Sequence, residues 1–319
     1  MLGDYSSGKR RFSRREFLGV AESAEIGGAV AAGVLGAVAG YLGGSAAVPI
    51  RTETVTETVT KTAGAQTVTK TVTETQGVLK EAEVLKVGYV YVGPVGDYGW
   101  TYSHDRGRKW ADERFGIGAK SFYIENVPET EVGGAIENLL AQGAKLIITT
   151  SFGYMDKTAE YAERYPDVYF VHISGYRSGA AGNAPENMSA AFIEYYQPLF
   201  LAGLAAGAVT ETGVVGYVGA FPIPEVVRHI NAFVLGANYA YRRRTGRDVE
   251  AHVEWIFEWV APDKARSAAI ALVEEKNCDV LMSAEDTPTV LQVAEEYQKK
   301  GKKVWSFGHS SDMRSYGPN

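Results

Sequence analysis

Residues 86–108 read KVGYVYVGPVGDYGWTYSHDRGR. An apolar, β-branched and aromatic run stops at a cluster of glycines, then restarts with helical character, so the stretch reads as strand, tight loop, helix. In an open α/β sheet, ligands sit outside the carboxyl ends of the strands. A loop at that place carrying Asp97, Trp100 and His104 is therefore a candidate binding loop. A carboxylate accepts hydrogen bonds from hydroxyl or amine groups, and an indole face stacks on a planar ring or a sugar face. The competing reading is structural: Asp97 caps the first helix and Trp100 packs that helix on its sheet. Against it stands repetition, because aromatic and acidic residues recur together at later strand ends.

The chain has 319 residues, enough for two ordinary domains once a non-globular N-terminal region is set aside. Its net charge of -6 speaks against a nucleic-acid partner. The run Arg242, Arg243, Arg244 is the nearest thing to a basic patch and reads as the solvated end of a helix. A lone Cys278 excludes an internal disulfide and any cysteine-based metal site, and it reads as a buried small hydrophobe. No metal site is expected.

At the N-terminus, residues 9–19 read KRRFSRREFLG, with Arg14 and Arg15 ahead of Phe17 and Leu18, and an Ala/Gly-rich apolar segment covers residues 26–48. This arrangement resembles a twin-arginine export signal, so residues 1–48 are read as that signal or as a membrane anchor. The apolar segment has about 20 apolar residues, long enough to remain as an uncleaved anchor. Ser45, Ala46 and Ala47 offer a cleavage site with no Cys after it, which excludes a lipoprotein anchor. Residues 49–83 form a Thr-rich segment in which Thr alternates with Val, Glu and Lys. Without aromatic rings it cannot bury a core of its own, and it reads as an extended stalk holding a globular part off a surface. Export to the cell surface or a periplasm-like space is expected.

After the stalk, strands and helices alternate, the pattern of a parallel sheet wound by helices. Strands are expected at 84–92, 120–124, 146–150, 168–173 and 188–195, with helices at 101–115, 131–141 and 156–164 between them. A small-residue helix at 198–210 leads to a second round: strands 214–218, 252–257, 279–282 and 304–307, helices 225–243, 263–275 and 289–299. The result is two doubly wound, Rossmann-like lobes, 84–196 and 197–319, whose strand ends face one another across a cleft.

The strand-end loops at 96–104, 151–156, 219–224, 283–287 and 308–312 hold Trp100, Phe152, Tyr154 and Phe221 as rings. Their carboxylates are Asp97, Asp156, Glu285, Asp286 and Asp312. Apart from Arg106 and Lys157 beside them, these loops contain no Lys or Arg, so an anionic ligand would meet a negative cleft. A nucleoside, nucleobase or sugar fits the set: rings for a flat heterocycle, carboxylates for hydroxyls. Core packing is the alternative for any single ring.

Three stretches, 92–108 (VGPVGDYGWTYSHDRGR), 222–237 (PIPEVVRHINAFVLGA) and 307–318 (FGHSSDMRSYGP), resemble the basic membrane protein (BMP) family of ABC transporter substrate-binding proteins, which includes purine nucleoside receptors. The resemblance covers residue 85 to the C-terminus. It implies the type I periplasmic-binding-protein fold, two α/β lobes joined by hinge strands, with the ligand stacked between rings of the two lobes and passed to a membrane permease. Carried over by motif, the ligand-binding positions are Asp97, Trp100 and Thr101 in the first loop, Phe152, Tyr154 and Asp156 in the second, Phe221 before the Ile-Pro motif, and Asp312. His104 and Asp286 join them as strand-end residues. Nucleoside-binding members usually have Asp, Phe and Asn in the first loop, so Trp100 and Thr101 are departures that bear on the ligand. Members also continue past the Ser-Asp motif to complete the first lobe, so that C-terminal return segment is expected to be missing here. A monomer without a cofactor is implied.

The rival class is an enzyme. Gly93, Gly96 and Gly99 are spaced G-x-x-G-x-x-G, which is not the dinucleotide fingerprint, and there is no G-x-S-x-G elbow and no histidine pair at metal-ligand spacing. His104 and Asp105 are neighbours on a helix and do not face each other, which weakens a catalytic pairing. A nucleoside-cleaving hydrolase or a cell-surface ligand sensor remain the alternatives to a transport receptor.

Overall fold

The computed structural model describes residues 51–63, 66–78, 84–115, 119–177 and 182–318. The chain divides into two compact units, residues 1–82 and 83–319. In the first, strands β1 (Arg51–Ala63) and β2 (Gln66–Val78) pair antiparallel, with Arg51 opposite Val78 and Ala63 opposite Gln66. The alternating pattern that suggested an extended stalk is thus satisfied by the segment pairing with itself. The twin arginines and the apolar segment 26–48 lie outside the described residues.

In the second unit, β3 (Leu85–Val90), β4 (Ala119–Ile124), β5 (Leu146–Thr149), β6 (Tyr169–Ile173) and β7 (Met188–Ala191) form one parallel sheet in the order β4-β3-β5-β6-β7. Helices α1 (Trp100–Phe115), α2 (Val132–Ala141) and α3 (Met155–Arg164) connect its strands. A second parallel sheet has the order β11-β10-β8-β9, built from β8 (Val214–Gly219), β9 (Glu250–Trp255), β10 (Val280–Ala284) and β11 (Trp305–Ser306). Its helices are α4 (Tyr196–Val209), α5 (Pro224–Thr245), α6 (Pro262–Glu274) and α7 (Thr289–Lys299). In each sheet the strand order reverses beside the first strand, between β4 and β5 in one and between β9 and β10 in the other. That reversal opens a crevice at the carboxyl ends of β3 and β8.

Each sheet is buried by the apolar faces of its helices. Ile136, Leu139, Ile147, Phe170 and Met188 form the core beneath α2 and α3. In the second lobe, Leu272, Leu281, Val290 and Val293 pack on one face of the sheet, and Leu199, Tyr217, Phe233 and Met282 on the other. The apolar, small-residue helix α4 packs on α5 backbone to backbone. A Cβ at Gly203 would stand 2.0 Å from the Phe233 carbonyl oxygen, and one at Gly236 2.2 Å from the Phe200 carbonyl oxygen. The chain passes between the lobes through Phe192, Ile193, Glu194 and Tyr195, between β7 and α4.

Candidate functional site

The crevices of the two sheets meet in one cavity. From the first lobe it is lined by Val92, Trp100, Ser151, Phe152 and Ser174, and from the second by Glu225, Val226, His229, Trp259, Ala284, Asp286 and His309. Trp100 opens α1, and its indole Nε1 donates to the Thr150 carbonyl at the end of β5, which fixes the ring at the cavity wall. Phe152 lies in the turn after β5. Pro224 sets the first turn of α5, so Glu225, Val226 and His229 come to the cavity from the first two turns of that helix. Trp259 follows β9, and its ring lies 5.1 Å from that of Phe221.

The lobes stand closed over this space. The Trp100 amide donates to Asp286 Oδ1 across the cleft at 3.3 Å, Ser103 Oγ to the Ser310 carbonyl at 2.5 Å, and Trp259 Nε1 to Glu129 Oε1 at 3.3 Å. Ser311 donates to the Tyr98 carbonyl and Ser174 to Glu225. The cavity between the walls has a volume of about 20 Å³, room for little more than a single water. Any molecule larger than a water or two could reach this space only with the lobes parted. Tyr98, Ser174 and Ser310, all in loops that meet across the cleft, have φ of 62°, 83° and 64°. Strain of this kind costs about 1 to 3 kcal/mol per residue and persists where the surrounding contacts enforce it.

Electrostatically the cavity is a nest of buried acids without a cation among its lining residues. Burial pushes Asp286 well above the usual carboxylate range, with Asp97 and Glu285 adding to the effect. Burial likewise raises Glu225, opposed by the Ser174 hydroxyl and Arg228. Glu285, fully buried behind Asp286, is pushed up to about 8, mainly by desolvation, despite hydrogen bonds from Thr287. Its ordinary value is 4.5, so between that pH and about 8 the folded protein holds the proton more tightly than the unfolded chain does. Stability is then fully present below pH 4.5 and is lost as pH rises through about 8. The thermal midpoint is expected to fall between pH 5 and 8, and Glu285→Gln to flatten that fall. Scanning calorimetry across the range checks it, and parallel curves for the two proteins would contradict it.

Among the sequence-derived candidates, Trp100, Phe152 and Asp286 line the cavity, and Phe221 stands behind Trp259. Asp97 instead takes the capping role: its carboxylate accepts the amides of Gly99 at 2.8 Å, Tyr102 at 2.9 Å and Thr101 at 3.1 Å. Thr101 is fully buried, its hydroxyl accepting the Gly93 amide, and His104 turns Nδ1 back to the Trp100 carbonyl at 2.8 Å, where burial lowers its basicity. Tyr154 is corrected from cleft to core. It is fully buried in the first lobe, and its hydroxyl donates to the Val127 carbonyl at 2.6 Å. Asp156 and Asp312 are solvent-facing and paired with Arg177 and Arg314; the Arg314 guanidinium holds Asp312 at about 2. The sequence reading missed Glu225, His229, Ser174, Trp259 and His309. Glu225 and His229 share a four-residue spacing immediately after Pro-Ile-Pro, a signal that could have placed both on the exposed start of a helix.

Comparison with known proteins adds the family. Residues 84–319 match the model of the Bmp family, described as ABC transporter substrate-binding protein PnrA-like. A purine-binding protein of Brucella abortus is 37% identical over 244 residues, covering 76% of this chain and 65% of that protein. A Haloferax volcanii protein, named as a candidate ABC transporter glucose-binding protein, is also 37% identical, over 237 residues that cover 74% of this chain and 56% of that protein. The chain thus spans less than two thirds of the length of both relatives. The crystal structure of an ABC transporter solute-binding protein from Aeropyrum pernix superposes with a TM-score of 0.64 at 18% identity, covering 73% of this chain and 64% of that one, a likeness of fold. With two doubly wound lobes closing on a shared cleft and a family match that takes in both of them, this chain belongs to the Bmp family of ABC transporter substrate-binding proteins.

Proposed function

We propose that the protein captures an uncharged nucleoside or nucleobase between its lobes and delivers it, outside the cytoplasm, to the permease of an ABC transporter. The observation that carries this reading is the cavity lining: Trp100, Phe152 and Trp259 supply aromatic faces from both lobes, Glu225 and Asp286 supply acids, and no Lys or Arg is present. Aromatic faces suit a flat base, and acids suit hydroxyls and amines. A phosphate would be placed against Glu225 and Asp286 in a lining without Lys or Arg, the one charge opposing them, Arg228, acting on Glu225 from outside that lining. The purine-binding relative from Brucella supports the base, while the equally similar relative from Haloferax makes a hexose the competitor to exclude. The twin arginines of residues 9–19 and the apolar segment 26–48 fit an exported protein held at a membrane by its N-terminus. Among the described residues no helix is long and apolar enough to cross a membrane.

Calorimetric titration with adenosine, adenosine monophosphate and glucose tests the proposal. Adenosine is expected to bind, with the monophosphate at least about tenfold weaker, because the added charge and its hydration shell enter a closed cavity whose lining has no Lys or Arg to receive them. Tighter binding of the monophosphate, or of glucose, would overturn it.

A further inference from the structure

His229 is 1% exposed and His309 is 7% exposed; both line the cavity. Neither ring nitrogen of His229 has a hydrogen-bond partner, and Nε2 of His309 has none either. Nδ1 of His309 lies 3.1 Å from Ser310 Oγ. The two imidazole centroids are 6.5 Å apart, and Tyr195 stands 5.1 Å from each. Tyr195 cannot serve them, since its hydroxyl is engaged with Ser310, accepting that residue's amide at 2.7 Å. Phe192 lies nearly parallel to His229, at 6.3 Å and 20°. Three polar atoms are thus held in an aromatic wall where phenylalanine would pack without leaving anything unpaired.

Buried donors and acceptors left without partners are costly, so three such nitrogens on two residues that line a cavity mark a place where a ligand supplies the partner. Burial keeps both rings neutral, with His229 lowered to about 3 and His309 to about 4. A neutral imidazole carries one N–H donor and one bare acceptor nitrogen. Two of them present a mixed set, which a phosphate or carboxylate, offering acceptors alone, cannot satisfy. A heterocycle edge with an amine beside a ring nitrogen offers a donor and an acceptor side by side.

The geometry points to His229 and His309 as a two-imidazole subsite that hydrogen-bonds the donor-acceptor edge of an uncharged purine-type base lying against the aromatic walls. This inference rests on the nucleoside reading of the cleft and adds to it the residues that read the base. His229 lies outside the strand-end loops and His309 inside the 308–312 loop, and among the described residues the other buried polar atoms without partners, on Tyr91, His172, Tyr217 and Ser306, belong to residues that do not line the cavity.

The test uses His229→Phe and His309→Phe in the full chain, each keeping an aromatic ring and removing its nitrogens. Affinities are measured for adenosine and for purine riboside, which differs by lacking the exocyclic amine. The wild-type protein is expected to favour adenosine by about tenfold or more, and each variant to lose most of that preference. The ligand-free thermal midpoint should hold or rise, since an unpaired buried polar group has been replaced by an apolar ring. Nucleoside binding with an unchanged adenosine preference in both variants would overturn the subsite while leaving the proposed function standing. Failure of the wild-type protein to bind any nucleoside would overturn the function and the subsite's ligand together.

Discussion

Trp100→Ala is expected to weaken nucleoside binding roughly tenfold to a hundredfold, with a much smaller loss for Trp100→Phe. The residue is only half-buried, lines the cavity, and has its indole held at the cavity wall by the Thr150 carbonyl and by the His104 ring, whose centroid lies 4.4 Å away, which presents it to a ligand when the lobes part. Stacking on an aromatic side chain contributes about 1 to 3 kcal/mol per base, which is the origin of the expected factor. Phenylalanine keeps a face but leaves the Thr150 carbonyl without its donor. Affinity and thermal midpoint measured on the same samples separate binding from packing. A large fall in midpoint with unchanged affinity would show that the indole serves to hold α1 on its sheet.

The second large effect comes from closure rather than contact. A Cβ on Gly99 would lie 2.7 Å from the Asp286 carbonyl oxygen and 2.8 Å from its Cα, both backbone atoms of the opposite lobe. Gly99→Ala therefore holds the lobes apart by a few tenths of an ångström at the point where the Trp100 amide meets Asp286. Overpacking of this kind costs about 1 to 3 kcal/mol, borne by the closed state, so affinity is expected to fall between about fivefold and a hundredfold. Each lobe keeps its own core, and the midpoint of the ligand-free protein should move little. Small-angle scattering with saturating adenosine should show a more open molecule than the wild type. Full closure and full affinity in the variant would contradict this account of Gly99.

The alternation of strands and helices was legible because the sheets are parallel and buried, giving short apolar runs bounded by glycine and polar turns. The place of the cleft followed from the strand ends. Individual side chains were harder to read, for local reasons. Asp97 sits where a ligand-binding carboxylate would, yet the amides of Gly99, Thr101 and Tyr102 at the start of α1 claim its oxygens, and composition alone does not separate a cap from a ligand contact. Phe152 and Tyr154 are two residues apart in a 3-10 turn, so one faces the cavity and the other is driven into the core. Glu225 and His229 were overlooked because they lie on α5 rather than in a loop, and their role depends on how that helix points at the other lobe. Trp259 and Ser174 follow β9 and β6, whose ends were not among the five loops assigned to the cleft, although Phe257, Glu258 and Trp259 carry the same mix of rings and acid.

Crystals grown with adenosine test the central claim most directly. The expected result is density for the base between the lobes, against Trp100 and with its amine edge toward His229 and His309, and for the ribose near Glu225 or Asp286. Density for the nucleoside on an outer surface, with the cleft between the lobes left closed as before, would contradict it.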